Sequence, residues 1–372
     1  MNGPTEKEKV MVAMSGGVDS SVAASLLKDA GYNVIGVTMH MWVDPLSEER
    51  AGEEAKSCCS YQDVYDAKRV AAKLNIPHYV LNMKDEFYHN IVCNFTAEYL
   101  RGRTPNPCIE CNRTVKFAQL LNKARGLGIG HLATGHYARI EYSSSNASYK
   151  LLRGVDRQKD QSYMLYVLGQ DVLSSTYFPL GNKTKQEIRK IAEAKDLKVA
   201  GKKESQEICF IPDNDYRSFM ERLCPEVLQP GDIVYVNGEK LGRHQGIAFY
   251  TIGQRKGLGI TASEPLYVVH IDAAQNQVVV GSEKETYSAG LLAEKLNYVS
   301  GTTPNKPRDI EVKIRYRSSA VPATLFPSQG GFARVLFARA QKAVTPGQSA
   351  VFYQAEEVIG GGIIKYGLDS EF

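Results

Sequence analysis

The sequence predicts an α/β fold built on a parallel sheet, followed by two small, mostly β, barrel-like domains. Three observations carry this. Apolar strand-like runs alternate with helical stretches from Lys9 to about Pro212. The first strand leads through Ser15-Gly16-Gly17 straight into a helix. From Gly231 onward the period changes to short β runs parted by Gly and Pro. Repeated βα units imply a parallel sheet with helices on both faces. At 372 residues the chain exceeds one ordinary domain. The expected parts are residues 1–212, 213–286 and 287–372.

Taken in order, Val10 to Met14 is an apolar run short enough for a buried strand. Val18, Val22, Ala23, Leu26 and Leu27 then recur on one helical face. YNVIGVTMHMW (32–42) is a second strand, and the acidic, polar 44–57 a surface excursion. Ser60 with Asp63 resembles a capping box, opening a helix with Val64, Ala67, Val70, Ala71 and Leu74 on one face. HYVLNM after Pro77 is a third strand. Helices are expected from about Asp85 to Leu100 and from about Arg113 to Arg125, with HLATGHYARI as the fourth strand. The serine-rich 142–150 reads as a hairpin tip or loop, and 160–168 as a short helix. Thr184 with Glu187 forms a second capping box, opening a helix to about Leu197. GDIVYVNGEKLG is a strand, an Asn-Gly turn and a strand, and YVVHIDAAQNQVVVGS repeats the theme. Gly360–Gly362 is expected at a strand-to-strand bend.

The bulk numbers exclude several classes. Apolar content of 43% and charged content of 23% are globular values. No apolar run approaches the ~18 residues of a membrane span, so no membrane partner is expected. The opening MNGPTEKEKV has no apolar h-region, which predicts no signal peptide. Net charge is only +4, but residues 301–342 hold eight Lys or Arg against two acids, a local balance of +6. That suits either a phosphate backbone or a solvated basic face. The seven cysteines are 58, 59, 93, 108, 111, 209 and 224. An odd count without an export signal predicts reduced thiols and a cytoplasmic location.

Three stretches carry chemistry. In SGGVDSS (15–21), a strand, a glycine turn and a helix start together form a phosphate site. Backbone N–H groups and the positive helix end face the ligand, and glycine allows close approach. No Lys follows the glycines, so this is not G-x-x-x-x-G-K-[ST]. Asp19 leaves a carboxylate for a magnesium ion. In GRTPNPCIECNRTVKF (102–117), prolines on both sides of Asn106 fix a stiff, extended segment. Cys108 and Cys111 follow as C-x-x-C, either a redox couple or half of a zinc site. In GKKESQEICFIP (201–212), Cys209 is either a thiolate favoured by Lys202 and Lys203, or a small core residue beside Phe210 and Ile211.

SGGVDSS resembles the SGGxDS motif of the PP-loop ATP pyrophosphatases. Together with TPNPCIECN and SQEICF, the chain resembles the tRNA-specific 2-thiouridylases. The resemblance runs from about residue 9 to the C-terminus and includes ATGHYAR (133–139), KDQSYML (159–165), FYTIGQRKGLGI (249–260), IRYRS and TPGQSAVFY. It implies a Rossmann-like sheet of the adenine nucleotide alpha hydrolase type. It also implies ATP-dependent 2-thiolation of the wobble uridine of tRNA, the Lys, Glu and Gln tRNAs among them. ATP and magnesium are the implied cofactors, with tRNA and a cysteine desulfurase or sulfur-relay protein as partners.

Carried over residue by residue, the resemblance gives Ala13, Met14, Ser15, Gly16, Gly17, Val18, Asp19, Ser20, Met39 and Gly135 to ATP. Cys209 is then the persulfide carrier and Cys111 the nucleophile, the two forming a transient disulfide. Asn106, Pro107 and Cys108 meet the target base. His136, Lys159, Asp160, Gln161, Arg315, Tyr316 and Gln348 touch tRNA. Some family members have Asp at the position of Cys108, which leaves two roles for this thiol: acid, or mere neighbour of the base. An iron–sulfur cluster on Cys108, Cys111 and Cys209 is a rival route to the same product. Two other classes stand beside this reading. Another PP-loop ligase would not need Cys111 and Cys209, and a non-catalytic RNA-binding protein would not need SGGVDSS.

Overall fold

A computed structural model describes residues 8–42, 61–202, 208–211, 215–327 and 330–369. Cys58, Cys59, Ser60 with its expected capping box, the acidic 44–57 excursion and Lys203 lie outside these residues. The chain divides into two compact units. The first holds residues 1–91, 108–214 and 356–358, and the second 92–107, 215–355 and 359–372.

The first unit is built on a five-stranded parallel sheet. Its strands are β1 (Lys9–Ala13), β2 (Asn33–His40), β3 (His78–Asn82), β4 (His131–Ala133) and, after the β5 and β6 hairpin below, β7 (Thr176–Tyr177). The order is β3-β2-β1-β4-β7, with β1 central and buried from Val10 to Val12. Ala13 pairs with Val37 and Val12 with Ala133, so the ends of β1, β2 and β4 lie side by side. Val10, Val12, Val22, Ala23, Val70, Ile188 and Ala192 share one core. This packing joins the sheet to the helices Val18–Asp29, Tyr61–Lys73 and Lys185–Ala194.

The fourth strand is shorter than expected. HLATGHYARI breaks at Thr134, and Ala138 starts β5 (Ala138–Ser143), which pairs antiparallel with β6 (Ser148–Arg153) in a different sheet. The break leaves Thr134 to Tyr137 outside both strands, with Thr134 N still donating to Tyr177 O of β7 at 3.3 Å. The helix expected from Arg113 also begins earlier, at Pro107, and runs through Pro107–Glu110, a π-helical Cys111–Gln119 and Leu120–Gly126. Proline suits a first helical position, where its missing N–H has no intrahelical partner to lose. The expected 85–100 helix is present as Lys84–Phe87 and Cys93–Leu100 around a π-turn at Tyr88–Val92. Ser162–Leu165 is a single 3₁₀ turn.

In the second unit, β8 (Gly231–Tyr235), β9 (Lys240–His244), β10 (Tyr267–Asp272) and β11 (Gln277–Gly281) form a sheet of order β10-β11-β8-β9. Gly238 takes φ +89° in the Asn-Gly turn between β8 and β9. The remaining strands are β12 (Tyr287–Tyr298), β13 (Arg308–Lys313), β14 (Val321–Pro327), β15 (Ala333–Lys342), β16 (Ser349–Gln354) and β17 (Glu357–Leu368). The order β12-β15-β14-β13-β16-β17 closes by a β12–β17 pairing into a six-stranded barrel around Leu291, Val312, Leu325, Val335 and Phe352. Gly360–Gly362 lies within β17 and not at a bend. A Cβ on Gly362 would stand 2.8 Å from Glu294 O, so glycine permits the close approach to β12. No helix among the described residues is long and apolar enough to cross a membrane.

The capping box on the Lys185–Ala194 helix is as expected. Thr184 Oγ1 accepts from Glu187 N at 3.3 Å, and the Glu187 carboxylate accepts from Thr184 N at 2.7 Å. Thr184→Ala is expected to cost about 1 kcal/mol of stability, read as a lower urea midpoint. An unchanged midpoint contradicts the assignment.

Candidate active site

The turn after β1 is built to leave backbone donors open. Gly16 has φ +69°, and a Cβ there would run into the Asp63 carbonyl of the Tyr61–Lys73 helix. Gly17 is the N-cap of the Val18–Asp29 helix and brings no side-chain cap of its own. The two serines that follow brace the turn from within. Ser20 Oγ accepts from Ser15 N at 3.1 Å, and Ser21 Oγ donates to Gly17 O at 2.8 Å. Such a turn presents helix N–H groups and dipole to an anion. Lys202 backs it, donating to Gly16 O at 3.2 Å, Asp63 at 2.7 Å and Asp66 at 2.7 Å. Burial alone would lower its pKa, but the two carboxylates outweigh burial and hold the ammonium above its usual value.

Met39 lies two residues past the Ala13–Val37 pairing. Thr38 Oγ1 ties β2 to the loop through Met14 O at 2.9 Å. Gly135 abuts the same turn, since a Cβ there would stand 2.8 Å from Ser20 N and 2.9 Å from Asp19 C. Residues 13–20, 39 and 135 therefore converge at the carboxyl ends of β1, β2 and β4, where open α/β sheets bind ligands.

Asp19 is not an open carboxylate. Lys185 Nζ donates to both of its oxygens at 2.8 Å, and Tyr137 Oη donates to Oδ1 at 2.7 Å. Lys185 is itself buried. This arrangement does not fit Asp19 as a magnesium ligand. Sequence reasoning missed Lys185 and Tyr137. Neither stands at a motif spacing that points toward residue 19, so only the fold joins them.

Cys108, Cys111 and Cys209 lie on two segments of the first unit. Cys108 and Cys111 share the helix that begins at Pro107, Cys111 buried and Cys108 exposed. The π-helical stretch starts at Cys111, and its end donates from Leu120 N to Val115 O, five residues back. Thr114 Oγ1 takes the Glu110 carbonyl at 2.8 Å, in competition with the regular ladder. The wider turn sets Lys116 one turn beyond Cys111 on nearly the same face, and such local π-helix often marks a functional site. Asn112 is buried and donates to Met164 O at 3.0 Å, fixing the helix against the Ser162–Leu165 turn.

Cys209 is exposed while Phe210 and Ile211 are buried, so the core reading of this cysteine does not hold. Phe210 anchors the segment edge-on to Phe87, ring centroids 5.6 Å apart. Cys108 and Cys209 lie close enough to interact electrostatically. The Cys108 side chain meets solvent, yet the protein mass around it is dense enough that desolvation pushes its thiol up to about 11; charge on Cys209 adds to the rise, and the Lys116 ammonium opposes it. Among the described residues, Lys116 is thus a cation acting on Cys108, while Lys202 serves the phosphate loop. Among the described residues, no group of three or more His, Cys, Asp or Glu is placed to hold a metal ion. Cys108, Cys111 and Cys209 are not such a group, and Cys58 and Cys59, the further ligands a zinc site would draw on, lie outside the described residues.

The residues expected to touch tRNA divide between the units. In the first, His136 bonds Thr134 Oγ1 at 2.7 Å and lies against Phe117 and Phe178. Burial and the Lys116 charge hold its pKa well below the usual value, so it is neutral at physiological pH. Asp160 accepts from Gly154 N at 2.9 Å and Ser162 Oγ at 2.9 Å, and Gln161 Oε1 accepts from Tyr137 N at 3.0 Å. Both side chains thus shape the turn that follows Lys159. In the second unit, Arg315 donates to Lys342 O at 2.8 Å, Lys313 lies over the Tyr316 ring, and Gln348 Nε2 donates to Thr104 O at 2.8 Å. Asn106 and Pro107 also count with that unit.

Known proteins are similar to the chain along most of its length. The family described as "tRNA methyl transferase HUP domain" matches residues 8–213, "tRNA methyl transferase PRC-barrel domain" residues 217–282, and "Aminomethyltransferase beta-barrel domain" residues 288–364. A tRNA-specific 2-thiouridylase MnmA of Natranaerobius thermophilus is 52% identical over 96% of this chain and 97% of the relative. The chain belongs to the tRNA-specific 2-thiouridylase family. Thiouridylases from Caldanaerobacter subterraneus subsp. tengcongensis and Carboxydothermus hydrogenoformans are each 50% identical, over 96% of this chain and 98% of each relative.

Lys116→Met removes the charge that opposes the rise of the Cys108 thiol. Iodoacetamide labelling of Cys108 at pH 8, followed by peptide mass spectrometry, is expected to slow by roughly tenfold per unit of pKa gained. Unchanged labelling contradicts the electrostatic role.

Proposed function

We propose that the protein 2-thiolates the wobble uridine of tRNA at the expense of ATP, the Lys, Glu and Gln tRNAs among its substrates. The observation that carries this is similarity to tRNA-specific 2-thiouridylases over nearly the whole chain. The proximity of Cys108 and Cys209, with Cys111 buried on the same helix as Cys108, supports it chemically.

The C2 oxygen of uridine is a poor leaving group. Attack of that oxygen on the α-phosphorus of ATP forms the C2–O–AMP bond and expels pyrophosphate. The N–H donors after β1 are suited to the charge that develops on the departing pyrophosphate. The terminal sulfur of a Cys209 persulfide, loaded by a cysteine desulfurase or sulfur-relay protein, then bonds to C2, and AMP leaves. Cys111, as thiolate, attacks Cys209 Sγ and cleaves the S–S bond. The electron pair returns to the sulfur on C2, giving the thiocarbonyl and a Cys111–Cys209 disulfide. An external thiol reductant restores both cysteines.

The Cys108 thiol, held protonated by its surroundings, is a proton donor beside the base. Asn106 and Pro107 meet the same splayed base. Lys159 and the exposed Arg315 contribute cationic contacts to tRNA phosphate, and Tyr316 a stacking plane. The functional parts are residues 1–212 for ATP binding and catalysis, 213–286 as a central β-rich domain and 287–372 as a tRNA-binding barrel, in the cytoplasm. Methyl transfer, named in the family descriptions, would leave both the phosphate loop and Cys209 without a task.

Nucleoside analysis of tRNA from cells lacking the protein is expected to show loss of wobble 2-thiouridine. Unchanged 2-thiouridine refutes the proposal.

A further inference from the structure

The stretch just before Pro107 is held from several sides within the second unit. Gly102 takes φ +70°, and a Cβ there would stand 2.7 Å from Ile271 Cγ2. Arg103 forms ion pairs at 2.8 Å with Glu98 of the Cys93–Leu100 helix and at 2.8 Å with Glu294 of β12. Thr104 N donates to Pro346 O at 2.9 Å, and Thr104 Oγ1 to Thr251 Oγ1 at 3.3 Å. Gln348 Nε2 donates to Thr104 O at 2.8 Å and reaches Pro105 O at 3.5 Å. Gly347 makes that approach possible, since a Cβ on it would lie 2.8 Å from Thr104 N and 2.9 Å from Thr104 C and O. The clamping turn is itself pinned to the barrel. Gln348 N donates to Thr345 O at 3.2 Å, and Ile364 N to Gln348 O at 2.7 Å.

We propose that Gln348 is a positioning residue: its amide clamps the Thr104 and Pro105 carbonyls and so aims Asn106 and Pro107 at the base. This rests on the thiolation reading, which gives Asn106 and Pro107 that task. The chemistry of the stretch explains why an outside donor is needed. Pro105 and Pro107 have no N–H, so the segment makes few backbone bonds of its own. Prolines also stiffen what lies between them, so fixing the two carbonyls fixes Asn106. With its Nε2 given to Thr104, Gln348 acts on the reaction through this segment and contributes little to the affinity for tRNA. The barrel thereby sets the geometry of the base-contacting segment.

Gln348→Ala and Gln348→Glu test this by three readouts on the full-length enzyme. These are the tRNA Kd by filter binding, the single-turnover rate of 2-thiouridine formation at saturating tRNA, and deuterium uptake at the Thr104 amide without tRNA. The expected result is a Kd within twofold of wild type and a single-turnover rate at least tenfold lower for Ala. The Glu rate should be lower still, because its carboxylate would face two carbonyl oxygens. Uptake at Thr104 should be about tenfold faster in both variants. A tenfold weaker Kd with an unchanged rate at saturation overturns the proposal and makes Gln348 a direct tRNA contact. Unchanged uptake at Thr104 also overturns it. A wild-type enzyme that makes no 2-thiouridine would refute the thiolation reading instead, while the uptake measurement still decides whether the clamp exists.

Discussion

One carboxylate organises the nucleotide end of the first unit. Asp19 stands in the first turn of the helix after the phosphate loop, and Lys185 and Tyr137 reach it from two other segments. A half-buried charge needs partners, and removing one leaves the other uncompensated at a cost of about 3–5 kcal/mol. The ion pair therefore ties the helix start, the turn after β4 and the start of the Lys185–Ala194 helix to one another. Gly135 can then press against Ser20 N. The acidic side chain of the loop is thereby spent on the scaffold.

A second constraint governs the sulfur chemistry. The helix carrying Cys108 and Cys111 starts at Pro107 and widens into a π-turn at Cys111. Cys108 is exposed and Cys111 buried, three residues apart on the same helix. Cys209 comes from a distant stretch, positioned by Phe210 on Phe87. Cys111 thus stands on a helix and Cys209 on a non-helical segment. Lys116 opposes the rise of the Cys108 thiol, and it also helps to keep His136 neutral.

Much of this was legible in the residues. The alternation of apolar runs and helical faces predicts the parallel sheet, and Thr184 with Glu187 predicts a helix start to the residue. SGGVDSS points to an anion site because glycine and helix polarity act locally. What was hidden is what depends on distant pairing. HLATGHYARI reads as one apolar strand, yet its second half pairs with β6 because Tyr137 is drawn to Asp19 and Gln161. Asp19 looks free for a metal until Lys185 arrives from 166 positions away. Lys202 looks like a partner for Cys209 by proximity in sequence, but Asp63 and Asp66 hold it at the loop. The hold of Gln348 on Thr104 spans 244 positions and shows only once the chain is folded.

The central claim is that ATP activates the uridine oxygen and that Cys209 then delivers the sulfur. Its most direct test is Cys209→Ser incubated with tRNA and ATP labelled at the α-phosphate. The account predicts that label becomes attached to tRNA as the adenylated uridine while no 2-thiouridine forms. Formation of 2-thiouridine at the wild-type rate by this variant would contradict it.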